Sequence, residues 1–189
     1  MIQIGLHSGG RMVVRDDDTL DVSQVTPGDL AFGLSHVTRF GGMAGSYSVC
    51  EHSVRMYKWA AHDGQDKAVR RAILLHDAPE CLGEGDHQRF VKRRFFGSGP
   101  AVYSHLVCSA LWSRFPPLDR SVSWWTWDTV YRTLKDYDEW IGSLEARAFG
   151  FPHDPIPDHV DPQFAPRPGC FMTAVECLES FLWCWENSE

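Results

Sequence analysis

Residues 72–80 read Ala72-Ile73-Leu74-Leu75-His76-Asp77-Ala78-Pro79-Glu80, and the turn from apolar to charged within this run decides how the chain is read. Upstream of it, Ala68, Val69, Ala72, Ile73 and Leu75 recur at helical spacing, which predicts a helix from Gln65 to His76 with these side chains inward. Pro79 ends or kinks that helix, because its ring clashes with the carbonyl four residues back. The most apolar helix of the chain thus delivers His76 and Asp77 where a charge is costly unless it is paired or bound to metal. The dipeptide alone means little, since His62-Asp63 and His153-Asp154 also occur. The first precedes Gly64 and reads as a solvated helix end; the second lies in a Pro-rich loop.

Working outward, Ser48-x-x-Glu51 is a capping box that opens a helix ending near Gly64, with Val49, Met56, Trp59 and Ala60 on its apolar face. Thr26-Pro27 reads as an N-cap followed by proline at the first helical position, starting a helix that runs to about Arg39 and stops at Gly41-Gly42. Further helices are expected over 100–115, 126–149 and about 171–186, the last after a Pro-rich surface stretch from Phe151 to Pro168. Residues 10–25 look extended or hairpin-like around Asp16-Asp17-Asp18, but almost no segment alternates with period two. The expected class is all-α. With no repeat, low-complexity tract or composition break, residues 1–189 read as a single domain, with its core over about 26–150 and a C-terminal helix.

Composition narrows the partners. The net charge of −7 repels a nucleic-acid backbone, so stable nucleic-acid binding is not expected. Arg89, Lys92, Arg93 and Arg94 crowd one stretch, with Arg70 and Arg71 upstream; they fit a solvated basic face or one or two phosphate contacts. No window approaches 18 continuous apolar residues, and the N-terminus lacks the pattern of a secretory signal, so no membrane partner and a cytoplasmic location are expected. Six cysteines without a C-x-x-C pair argue against a disulfide framework and a Cys-rich zinc site; Cys177 and Cys184 read as small core residues. The tryptophans at 112, 124, 125 and 127 suit either an oligomer interface or core packing.

Two further anomalies accompany His76-Asp77. In the 126–149 helix the inward stripe runs Trp127, Val130, Leu134, Asp138 and Ile141, with Glu145 one heptad after Asp138. His52 is flanked at −3 and +4 by Val49 and Met56 on one helix face. Singly, each has an ordinary explanation: a hydrogen-bonded core histidine, or an aspartate paired with Arg132 or Arg147. Together, two histidines and two aspartates on three helices make a nitrogen and oxygen donor set suited to a divalent metal, of the kind bundle cores build from facing helices.

The series Glu51-His52-Ser53, Leu75-His76-Asp77-Ala78-Pro79-Glu80 and Lys135-x-x-Asp138 resembles the HD-domain metal-dependent phosphohydrolases, closest to the small 5′-deoxynucleotidases and the phage-encoded dATP triphosphohydrolases. Leu34-Ser35-x-x-x-Arg39-Phe40-Gly41-Gly42, Tyr47-Ser48-Val49 and Leu144-Glu145-Ala146-Arg147 extend the likeness over about residues 26–186. Met43 stands where relatives often carry histidine, and the interval from Glu80 to Asp86 is one residue longer. The resemblance implies an HD-domain helical bundle and a divalent ion (Zn, Co, Mn or Mg) on His52, His76, Asp77 and Asp138. It implies proton transfer by Glu80, a second acid at Asp86, and phosphate contacts from Arg39 and Lys92. The implied reaction is hydrolysis of a deoxynucleotide 5′-phosphoester, with dATP the foremost substrate and dNMPs the alternative, by a homo-oligomer in the cytoplasm, including that of a phage-infected bacterium. Competing readings are another hydrolase of the superfamily, a catalytically silent nucleotide-binding module, and a structural metal site.

Overall fold

The computed structural model describes residues 1–17, 19–84, 98–116 and 127–188. The chain opens with an antiparallel sheet of three short strands in the order β1 (Ile2–Gly5), β2 (Arg11–Val14) and β3 (Leu20–Asp21). The all-α expectation is corrected here: the protein is mostly helical and carries this small sheet. Its pairing Ile2↔Val14 and Ile4↔Met12 puts four apolar residues on one face, where Met12 is fully buried. Strands of four, four and two residues are too short for period-two alternation to stand out in a sequence.

Among the described residues six helices follow, α1 (Pro27–His36), α2 (Val49–His62), α3 (Lys67–Leu75), α4 (Gly99–Arg114), α5 (Trp127–Ala148) and α6 (Ala174–Glu186). Their starts follow local chemistry. Thr26 caps α1 with Pro27 behind it, and Asp29 returns its carboxylate to the Thr26 amide to close a capping box. The Ser48 box is only half formed: Ser48 accepts from the Glu51 amide, whereas the Glu51 carboxylate accepts from Arg55 and from the Met172 amide. Thr173 and Glu176 close a complete box on α6. The helix expected to reach Arg39 stops at His36, and a 3-10 turn spans Arg39–Gly42, with Phe40 at φ 56° and Gly41 at φ 62°.

The helices α2, α3 and α5 pack against one another, and α1 and α6 cover α2. Trp59, Met56, Leu34, Ile73, Leu75, Leu111 and Phe181 fill the interior, each almost or fully inaccessible to water. Cys177 and Cys184 are buried in it as free thiols, as their heptad spacing implied. Among the described residues no helix is long and apolar enough to cross a membrane. Trp124 and Trp125, and the basic group at 89–94, lie outside the described residues; Trp112 is buried in the core.

Candidate metal centre

The three packed helices carry the three polar anomalies to one place. His52 projects from the first turn of α2, His76 and Asp77 follow the last residue of α3, and Asp138 lies midway along α5. His52 Nε2 is 3.6 Å from Asp77 Oδ2 and 3.5 Å from Asp138 Oδ1. His76 Nε2 is 3.1 Å from Asp77 Oδ2 and 3.9 Å from Asp138 Oδ1. Donor atoms held about 2.0–2.2 Å from one ion in tetrahedral geometry sit roughly 3.4 Å apart, so this spacing suits a shared ion. His52, His76 and Asp138 offer donor atoms within 4.8 Å of one another.

Both imidazoles are locked at the far nitrogen. His76 Nδ1 bonds the Ile73 carbonyl at 2.6 Å, and His52 Nδ1 is 2.7 Å from Glu145 Oε1. In the neutral form, with Nδ1 carrying the proton, each ring would turn an Nε2 lone pair towards the aspartates. These two Nε2 atoms and Asp77 Oδ2 are buried without a hydrogen-bond partner. Buried polar atoms without partners are rare because each costs about 1–3 kcal/mol. Three of them converging on one point fit the donor set of a divalent ion, and this group could hold one.

The electrostatics agree with that fit. Burial disfavours a charge on His76, but Asp77 and Asp138 outweigh it and lift the imidazole to about 10. Burial would raise Asp77, yet the facing His76 holds its carboxyl well below the usual carboxylate range. Asp138 is likewise held low against its burial, by the two histidines and by Lys135. Without an ion the carboxylates thus draw protons onto the histidines, and a bound cation would take over that neutralising role.

Arg39, in the 3-10 turn, reaches this group from the other side. Its Nη1 is 4.0 Å from Asp77 Oδ2, and its Nη2 donates to Glu145 Oε2 at 3.1 Å. Glu80 is nearly buried one turn beyond the His-Asp pair, its amide bonded to the Asp77 carbonyl at 2.9 Å. It opens the turn Glu80–Glu84, which packs on α1 so closely that a Cβ on Gly33 would lie 2.7 Å from Cys81 Cβ. Of the residues singled out from the sequence, His52, His76, Asp77, Asp138 and Arg39 come together, with Glu80 adjacent. Asp86 and Lys92 lie outside the described residues.

Sequence reasoning missed three participants. Asp138 pairs with Lys135 on its own helix, rather than with Arg132 or Arg147; the i,i+3 spacing was the available signal. Glu145, visible as an acid in the apolar stripe of α5, is fully buried and bonds Tyr47, His52 and Arg39. Tyr47 appears only within a stretch of the family likeness and carries no role there, since a buried tyrosine reads as core. Compared with known proteins, the chain matches no protein-family model and no curated protein sequence. Fold and site define a mostly helical protein with a buried His/Asp group able to hold a metal ion.

Proposed function

We propose that the protein is a metal-dependent phosphohydrolase of the HD type that cleaves the 5′-phosphoester of deoxynucleotides, with dATP its foremost substrate. The carrying observation is the convergence of the buried Nε2 atoms of His52 and His76 with Asp77 and Asp138 from three helices, with Glu80 and Arg39 beside them. His52, His76, Asp77 and Asp138 would hold the ion. When bound, a divalent ion supplies an acidified water and polarises a phosphoryl oxygen.

The remaining chemistry belongs to the chain. Arg39, fixed by Glu145, offers a guanidinium to the phosphoryl oxygens as charge builds on them. Glu80 delivers the proton that the leaving 5′-oxygen requires. Water oxygen bonds to the phosphorus nearest the sugar, the bond from that phosphorus to O5′ breaks, and O5′ leaves protonated. From dATP the products are deoxyadenosine and intact triphosphate; from dAMP they are deoxyadenosine and phosphate.

Chromatography of dATP and dAMP incubated with the protein and Mn, Co, Zn or Mg tests this reading. Deoxyadenosine and triphosphate appearing together from dATP support it. Sequential appearance of dADP and dAMP overturns attack at the first phosphorus. Turnover of dAMP alone keeps the chemistry and restricts the substrate to deoxynucleoside monophosphates.

A further inference from the structure

Glu145 is the most constrained acid among the described residues near the candidate centre, and no ligand role falls to it. It lies two turns past Asp138 on α5, fully buried, with both oxygens engaged. Oε1 accepts from the Tyr47 hydroxyl at 2.6 Å and lies 2.7 Å from His52 Nδ1. Oε2 accepts from Arg39 Nη2 at 3.1 Å. One carboxylate therefore joins three side chains from three parts of the chain: the 3-10 turn at Arg39, the segment before α2, and α2 itself.

We infer that Glu145 is a positioning residue that sets two groups of the site at once, the tautomer and direction of the His52 ring and the direction of the Arg39 guanidinium; this rests on the metal-centre reading above. The chemistry is specific to a carboxylate. In the neutral ring, accepting from Nδ1–H selects the tautomer with a bare Nε2, the form that can bind a cation through the nitrogen facing the aspartates. The same charge anchors one guanidinium nitrogen and leaves Nη1 towards Asp77, at 4.0 Å. Tyr47 restricts the carboxylate in turn, since it occupies Oε1 beside His52.

Glutamine has the same shape but one acceptor oxygen and one amide donor. If its oxygen serves Arg39, its NH₂ faces His52 Nδ1 and drives the imidazole proton to Nε2, which blocks the ligand. If the oxygen serves His52, the NH₂ faces the Arg39 guanidinium, donor against donor. Either way one of the two groups is lost, and the carboxylate charge that favours both is gone.

Cobalt or zinc affinity, titrated against a chelator, tests this in the wild type and in Glu145→Gln, each checked for folding by circular dichroism. Roughly 10- to 100-fold weaker binding by a folded Glu145→Gln supports the inference, a loss in the range outer-shell partners of metal-bound histidine carry. Equal affinity in folded Glu145→Gln overturns it. Nitrogen-15 NMR of zinc-loaded wild type provides an independent arm that does not depend on the folding of Glu145→Gln. A proton on His52 Nδ1 with Nε2 bound to zinc supports the inference, and the reverse tautomer overturns it. A wild type that binds neither cobalt nor zinc overturns the metal-centre reading itself, a result distinct from metal bound equally by both proteins.

Discussion

Glu80 is set three and four residues beyond Asp77 and His76, a spacing that keeps it beside the His-Asp pair. Its amide closes the turn on the Asp77 carbonyl, so the backbone holds the acid close to the pair whatever its side chain does. Glu80→Ala is therefore expected to retain metal and lose turnover by on the order of a hundredfold, the usual contribution of a positioned general acid or base. Steady-state kinetics alongside metal analysis checks this, and near-wild-type kcat in the metal-loaded variant would remove Glu80 from the proton-transfer role. At this scale much was legible in the sequence. A histidine or aspartate inside an apolar stripe is conspicuous because burial penalises it, which exposed His52, His76 and Asp138. What stayed hidden were partners set by distant sequence, such as Tyr47, 98 residues from Glu145. Nothing local marks a tyrosine hydroxyl as an anchor.

Elements announced themselves through their caps and periods, with the failures at the short ones. Thr26-Pro27 predicted the start of α1, and the structure adds a reason for the acid three residues on. Asp29 accepts from the Thr26 amide and hydroxyl at 2.9 and 2.6 Å, and from the Ser8 amide and hydroxyl at 2.7 and 3.1 Å. It thus clips the β1–β2 turn to the helix that supports Glu80–Glu84. Ser8 and Asp29 lie 21 residues apart, so no local pattern ties the strands to the helix. Burial pushes the Asp29 carboxyl up, but the Thr26 and Ser8 bonds prevail and hold it below its ordinary value. A carboxyl depressed on folding adds stability that is present above its unfolded pKa, about 3.9, and lost as pH falls through the folded one. Asp29→Asn should cost roughly 1–3 kcal/mol at neutral pH, because its amide sets a donor against the part-buried donors of Thr26 or Ser8. Denaturant titrations across pH should show this cost shrinking below about pH 4, as the wild-type acid protonates. A pH-independent gap between the two proteins would refute the carboxylate's part in it.

For the whole molecule, the sharpest consequence is coupling between folding and the candidate metal. The donor atoms belong to α2, to the end of α3 and to α5, three elements that meet only in the folded chain. Unfolding scatters them, so an ion that binds the native site stabilises the fold by mass action. The affinity behind that gain draws on the buried Nε2 atoms of His52 and His76 and on Asp77 Oδ2, which have no hydrogen-bond partners of their own. With free metal at a hundred times its dissociation constant, the gain is about 2.7 kcal/mol. In a chain of this size each kcal/mol moves the midpoint by about 2–4 °C, so Tm should rise by roughly 5–11 °C. Binding must also release protons, because Asp77 and Asp138 lift His76 to about 10 and a metal-bound imidazole is neutral. The metal-induced rise should therefore grow from acidic towards mildly alkaline pH, with protons appearing in unbuffered solution on mixing. Differential scanning fluorimetry with Mn, Co or Zn, reversed by chelator, measures the first effect, and a pH electrode the second. His76→Ala should abolish both while remaining folded. A Tm unmoved by saturating metal, or an equal rise in His76→Ala, would place the ion elsewhere and leave the buried His/Asp group without its explanation.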